Sequence, residues 1–173
     1  MPAAPPSRLF LVGFMGVGKS QIGRALAGRI GWTFVDLDQE ITRTAGRSIE
    51  ALFAEEGEPA FRARETAALH RLATRERVVV ATGGGCFVDA ANRDWMQAHG
   101  LAIWLDLPLD ALLARKDLAR GRPLFQDREQ VTALYQARRP AYARADAYVD
   151  TTDLSTEAVT AALETALRKL GVP

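Results

Sequence analysis

The chain has one cysteine, two histidines, three lysines and no long apolar run. The single cysteine, Cys86, rules out an internal disulfide framework and fits a reducing compartment. His70 and His99 fall in ordinary helical segments with no metal-ligand spacing around them. No stretch approaches the roughly 18 apolar residues that a membrane span requires. The opening MPAAPPSR lacks an apolar core of signal-peptide length and reads as a short lead-in. Charge of one sign is missing too: the formal net charge is +1, so no global field draws the chain to nucleic acid or membrane. The expectation is a soluble cytoplasmic protein. Nineteen arginines against three lysines, beside abundant alanine, read as codon bias, so only the placement of an arginine carries an argument.

What is present fits a single domain over residues 1–173. Apolar runs of strand length alternate with amphipathic segments of helix length. RLFLV (8–12), TFVD (33–36), VVVAT (78–82), LAIWLDL (101–107) and AYVD (147–150) read as strands. Helices are expected over 19–30, around 39–45, from Ser48 to Glu56, from Pro59 to about Thr74, from Asp89 to near Gly100, after Pro108, over roughly 128–143, and from Ser155 to Leu170. Alternation of this kind predicts an α/β fold with a five-stranded parallel sheet covered on both faces, a three-layer α/β/α sandwich. Right-handed crossovers then gather the loops after the strands along one edge.

Every unusual motif falls on that edge. GFMGVGKS, Gly13 to Ser20, matches G-x-x-x-x-G-K-[ST] in full, between a strand and a helix. Its glycines let backbone N–H groups turn inward around an anion, and the helix N-terminus adds its dipole. Lys19 would reach the β- and γ-phosphates and the Ser20 hydroxyl would ligate Mg²⁺. The chain lacks the N-K-x-D signature of GTPases and is short for a motor, which favours a small-molecule kinase.

VDLDQE places Asp36 and Asp38 at the end of the second strand, where residues two apart share a face. One carboxylate would then serve the metal and the other the acceptor hydroxyl; alternatively Asp38 is a helix N-cap and Asp36 a turn residue. Three consecutive glycines, Gly83 to Gly85, follow the third strand. Three in a row cost conformational entropy and suggest a close approach to the backbone. Arg62 in PAFRARE and Arg138 in ARRPAY would each be an ordinary surface arginine in isolation, with the second helix expected to end or kink before Pro140. Arg122 lies in the polar loop 117–127, around GRPLF.

Taken together and in order, LVGFMGVGKSQIGR, DLDQEI, GRSIEALFAEEGEPAFRARE, TGGG, GRPLF and RRPAY make the chain resemble the shikimate kinases from about Leu9 through Asp150. The resemblance implies the nucleoside-monophosphate-kinase branch of P-loop folds, strand order 2-3-1-4-5, and phosphorylation of the 3-hydroxyl of shikimate by ATP with Mg²⁺. It implies that Gly13, Gly16, Val17, Gly18, Lys19, Ser20 and Gln21 hold ATP, that Arg115 packs on adenine, and that Arg122 is the lid arginine. Asp38 would bond the ring hydroxyls, Asp36 would reach Mg²⁺, Gly83, Gly84 and Gly85 would form the wall under the ring, and Arg62 and Arg138 would hold the carboxylate. Residues 39–60 match the substrate-binding lobe and 117–127 the lid. The family is commonly monomeric, with small-molecule substrates and no nucleic acid or membrane partner.

Two positions depart from the pattern. Gln21 replaces the usual threonine, removing a hydroxyl contact to phosphate while keeping the backbone N–H. Arg139 is a second cation beside Arg138, and the spacing to Pro140 favours Arg138 as the ligand. Cys86 reads as small filler, and Trp32, Trp95 and Trp104 read as packing. The alternatives are a gluconate-kinase-like enzyme, which would need no flat glycine wall, and an inactive ligand-sensing relative, which would be expected to have lost Lys19, Asp38 or Arg122.

Overall fold

The computed structural model describes residues 5–115 and 127–172. Its centre is β1 (Arg8–Val12), whose Leu9, Phe10, Leu11 and Val12 are fully buried. Burial of each such side chain stabilises by about 1.5–3 kcal/mol. β1 pairs in parallel with β3 (Val78–Ala81) on one side and β4 (Leu101–Asp106) on the other. β2 (Thr33–Asp36) and β5 (Ala147–Asp150) complete a parallel sheet of order β2-β3-β1-β4-β5. Burial follows position. All four residues of β3 are buried, whereas the edge strand β5 alternates half-buried and exposed residues.

Successive residues of a strand face opposite sides, and β1 shows which helix lies on each. Gly23 of α1 (Lys19–Ile30) lies where a Cβ would come 3.2 Å from Leu11 Cδ1, so α1 covers the Leu11 face and must stay small there. Trp95 of α4 (Ala90–His99) packs edge-on to Phe10, 6.1 Å between centroids, so α4 covers the other face. Trp95 is also sandwiched by both histidines, His70 at 5.2 Å and His99 at 4.2 Å. Trp32 and Trp104 are buried. All three tryptophans are packing residues, as expected.

The remaining helices are α2 (Leu37–Ala45), α3 (Ile49–His70), α5 (Leu109–Leu113), α6 (Arg128–Tyr142) and α7 (Thr156–Lys169). Ser48, Asp89 and Ser155 cap α3, α4 and α7 through side-chain acceptors, at the positions the sequence suggests. The expected stop at Gly57 is a kink: Gly57 adopts φ 81°, ψ 169°, and helix resumes beyond it with Pro59 in its first turn.

Two local expectations need correction. Asp38 is not at a strand end; β2 stops at Asp36, which caps α2 by accepting from the N–H groups of Asp38 and Gln39 at 3.0 and 3.2 Å. The strand alternation invoked for the pair therefore does not apply, and the cap is Asp36 rather than Asp38. α6 also continues past Pro140 to Tyr142. Pro140 has no N–H to give the Gln136 carbonyl, and the helix ends two residues later at Tyr142.

Candidate active site

The carboxyl ends of β1, β2, β3 and β4 converge, and each delivers one part of the site. After β1 the chain turns through Gly13 (φ 141°), Gly16 (φ 82°) and Gly18 (φ 103°) into α1. A Cβ on Gly13 would lie 2.4 Å from the Leu105 carbonyl oxygen, so β4 packs against the bare backbone of this loop. The first turn of α1 holds no acidic residue and no side-chain cap, leaving its N–H groups and dipole for an anion. Lys19 is buried and donates to the Gly13 and Phe14 carbonyls at 2.7 and 2.9 Å, so its ammonium is folded over the loop. Ser20 Oγ donates to Asp36 Oδ2 at 2.5 Å. Asp36 thus uses one oxygen to cap α2 and the other to hold the serine. Val17 is buried, Gln21 is exposed, and Arg115 donates to the Gly16 carbonyl at 2.7 Å. Arg122 lies outside the described residues.

After β3, Thr82 ties the strand end to β1 through its N–H and Oγ1, both donating to the Leu11 carbonyl. The three glycines follow, and each faces charge. A Cβ on Gly83 would lie 2.5 Å from Glu65 Oε1 and 3.2 Å from Asp38 Oδ1. One on Gly84 would lie 3.0 Å from Arg138 Nη1 and 3.4 Å from the Met15 nitrogen of the phosphate loop. One on Gly85 would come within 2.5–2.7 Å of the Arg62 guanidinium. None of the three glycines has a positive φ, so close approach rather than unusual backbone geometry accounts for them. Charged side chains already crowd the glycines, before any ligand is considered.

These charges balance in part. Arg62 Nη1 donates to Glu65 Oε2 at 3.0 Å, and its other nitrogens reach exposed Glu58. Glu65 is 1% exposed, and its Oε1 has no hydrogen-bond partner among the described residues. Burial raises its pKa, Arg62 opposes that rise, and Asp38 adds to it. Arg138 is 6% exposed, with its Nη1 likewise unpartnered among the described residues. Burial lowers its pKa, and the neighbouring Arg62 works in the same direction. A buried polar group without a partner is costly, and two around one wall mark a place for a ligand.

Arg138 and Arg139 separate cleanly. Arg139 turns away to Asp106, with bonds of 2.8 and 3.0 Å, and to the Tyr135 hydroxyl at 2.6 Å, over the Trp104 ring. Arg138 alone faces the glycines. Cys86 is buried, burial pushes its thiol well above the usual range, and Asn92 lies 3.8 Å from its sulfur; it is filler.

Two residues of the cluster were not singled out from the sequence. Glu65 stands three residues after Arg62 and Tyr142 four after Arg138, spacings that share a helix face and could have pointed to them.

The family model for shikimate kinase matches residues 15–168. The chain belongs to the shikimate kinase family. The shikimate kinase of Salinibacter ruber is 46% identical over 158 residues, covering 84% of this chain and 77% of that protein. A shikimate kinase from Acinetobacter baumannii, solved in complex with shikimate, superposes with a TM-score of 0.90 at 32% identity and covers 97% of this chain and 96% of that one. A gluconokinase from Sinorhizobium meliloti shares the fold, with a TM-score of 0.61 at 20% identity and coverage of 97% and 95%. The expected strand order and kinase fold hold. Among the described residues no helix is long and apolar enough to cross a membrane.

Proposed function

We propose that the protein transfers the γ-phosphoryl group of ATP to the 3-hydroxyl of shikimate, giving shikimate 3-phosphate and ADP, as a single-domain monomer in the cytoplasm. The observation that carries the reading is Arg138: a buried guanidinium with Nη1 unpartnered among the described residues, against Gly84 and across the wall from Asp38. A planar fork of N–H donors suits a carboxylate, and a carboxylate at the other end suits hydroxyls. An acceptor bearing both groups on one flat ring spans the three glycines. The Met15 nitrogen lies 3.4 Å from the Gly84 Cβ position, which brings the phosphate loop against the same wall.

On this reading Arg62 and Arg138 bind the acceptor carboxylate, and Glu65 holds Arg62 in place. Gly83, Gly84 and Gly85 let Glu65, Arg138 and Arg62 close on bare backbone, and the glycine N–H groups meet the hydroxyls of the ring. Asp38 orients the 3-hydroxyl and accepts its proton as the oxygen bonds to the γ-phosphorus and the bridging P–O bond to ADP breaks. The loop Gly13–Ser20 cradles the phosphates with its N–H groups, and Lys19 swings from its carbonyls onto the transferring group. Ser20 and Asp36 fit Mg²⁺, which needs only one or two protein oxygens beside water and phosphate. When bound, Mg²⁺ neutralises charge on the β- and γ-phosphates. With little acid–base work in a loose transition state, positioning and fixed charge supply most of the acceleration.

ADP release from MgATP, with shikimate, with gluconate and with neither, tests the reading. Release that depends on shikimate alone is expected. Release with gluconate at a comparable rate, or with neither acceptor, would overturn it.

A further inference from the structure

Helix α6 carries Tyr135, Arg138, Arg139 and Tyr142 at i, i+3, i+4 and i+7, which places them along one face. Two of them tie the helix to the end of β4. Tyr135 donates to the Leu107 carbonyl at 3.1 Å, and Arg139 pairs with Asp106. Tyr142 reaches elsewhere. Its hydroxyl donates to the Gly84 carbonyl at 2.5 Å, on the same glycine whose Cβ position lies 3.0 Å from Arg138 Nη1. The side chain is 1% exposed, with its ring 6.0 Å from that of Trp104. Burial pushes the phenol up to about 12, so the donor persists throughout the neutral range.

The Gly84 carbonyl and the Gly85 N–H belong to one peptide unit. No peptide here is cis, and in a planar trans unit these groups point in opposite directions. Holding the carbonyl toward Tyr142 therefore turns the Gly85 N–H away from α6. The other backbone bonds of the segment, Cys86 N–H to Gly83 O and Val88 N–H to Gly85 O, both 3.2 Å, engage the flanking peptides and not this one. A Gly-Gly peptide has no side chain to resist rotation. The turn closed by Cys86 N–H and Gly83 O spans this peptide without bonding it, and the Tyr142 hydroxyl bonds it directly.

We propose that Tyr142 is a positioning residue for the acceptor: its hydroxyl fixes the Gly84–Gly85 peptide and the Arg138 guanidinium in one arrangement, so that the wall N–H and the cation meet the substrate together. The proposal rests on the reading of the glycine wall as the acceptor site. It concerns a group that touches no reacting atom and acts through two that bind the ring and its carboxylate. A tyrosine kept only for packing would have its role filled by phenylalanine.

The test is Tyr142→Phe, which keeps the ring and removes the hydroxyl, with Arg139→Met as comparator at the other tie of the same helix. For Tyr142→Phe the KM for shikimate is expected to rise about 5- to 30-fold, the worth of one to two hydrogen bonds. The KM for ATP and kcat should stay within about twofold, since the phosphate loop is untouched. Arg139→Met should lower Tm through the stranded Asp106 carboxylate yet leave the shikimate KM within about threefold. An unchanged shikimate KM in an active Tyr142→Phe enzyme would remove the positioning role and leave the proposed function standing. A rise in KM that tracks the loss of Tm equally in both variants would reduce Tyr142 to a helix anchor. Wild-type enzyme inert toward shikimate would remove the function, and this role with it.

Discussion

Replacing Gly85 by alanine separates the wall's role in binding from its role in folding. Gly85 has φ −93° and ψ −12°, an ordinary right-handed conformation, so the backbone accepts a Cβ. Taken alone, that change removes freedom from the unfolded chain and stabilises by about 0.4–1 kcal/mol. The added methyl meets Arg62 Nη1 at 2.5 Å and its Cζ and Nη2 at 2.7 Å, about 1 Å inside ordinary contact. Arg62 is the member that moves, because its side chain is 28% exposed whereas Glu65 is 1% exposed. Its retreat breaks the 3.0 Å charge-assisted bond to the buried Glu65 carboxylate, a loss of about 1.5–3 kcal/mol. The conformational gain offsets part of that loss, and Tm should fall by less than about 10 °C in a chain of this size. Binding has no such compensation. Displacing one guanidinium from the acceptor carboxylate removes a charge-assisted contact of about 1.5–3 kcal/mol, or about 10- to 150-fold in the shikimate KM. Steady-state kinetics in both substrates and a thermal melt read the two effects separately. A shikimate KM within about threefold of wild type would refute the reasoning about the wall. A fall in Tm beyond about 10 °C would refute the claim that Arg62 gives way.

Other expectations follow from the same geometry. Gly13→Ala meets the backbone Leu105 carbonyl at 2.4 Å in a left-handed conformation, with no flexible neighbour to yield; a loss of about 2–4 kcal/mol is expected by denaturant unfolding, with nucleotide binding lost. Asp38→Asn keeps the shape and removes the carboxylate beside Gly83; turnover should fall by at least about 100-fold while nucleotide affinity, by calorimetry, stays within about twofold. Glu65→Gln carries a pH signature. Burial raises the Glu65 pKa in the folded state, so its contribution to stability is present below the ordinary carboxylate range and is lost as pH rises through the raised value. The Tm of Glu65→Gln minus that of wild type should therefore climb with pH across that window and then level off; a flat or falling difference would contradict it.

The phosphate loop was legible because its chemistry is local. Gly13, Gly16, Gly18, Lys19 and Ser20 fall within eight consecutive residues running from the end of β1 into α1, so a short stretch of sequence defines the unit. The strands were legible because β1, β3 and β4 are buried on both faces and read as apolar runs. Asp36 was harder. Its two oxygens serve a serine 16 residues away and a helix start two residues on, and spacing alone could not apportion them. The glycine triplet announced a close approach, but what approaches comes from Glu65 and Arg62 on α3, Asp38 on α2 and Arg138 on α6.

What the sequence determined by itself is the set of elements, the nucleotide loop and the identity of the charged residues available. Only the tertiary structure decided which of two adjacent arginines faces the wall. α6 turns by about 100° per residue, so Arg138 and Arg139 diverge, the first toward Gly84 after β3 and the second toward Asp106 at the end of β4. It also brought the Glu65 carboxylate against Gly83 and the Tyr142 hydroxyl onto the Gly84 carbonyl, contacts between residues far apart in the chain. Contacts of that kind depend on where the sheet brings the strand ends, and sequence spacing records only separations along the chain.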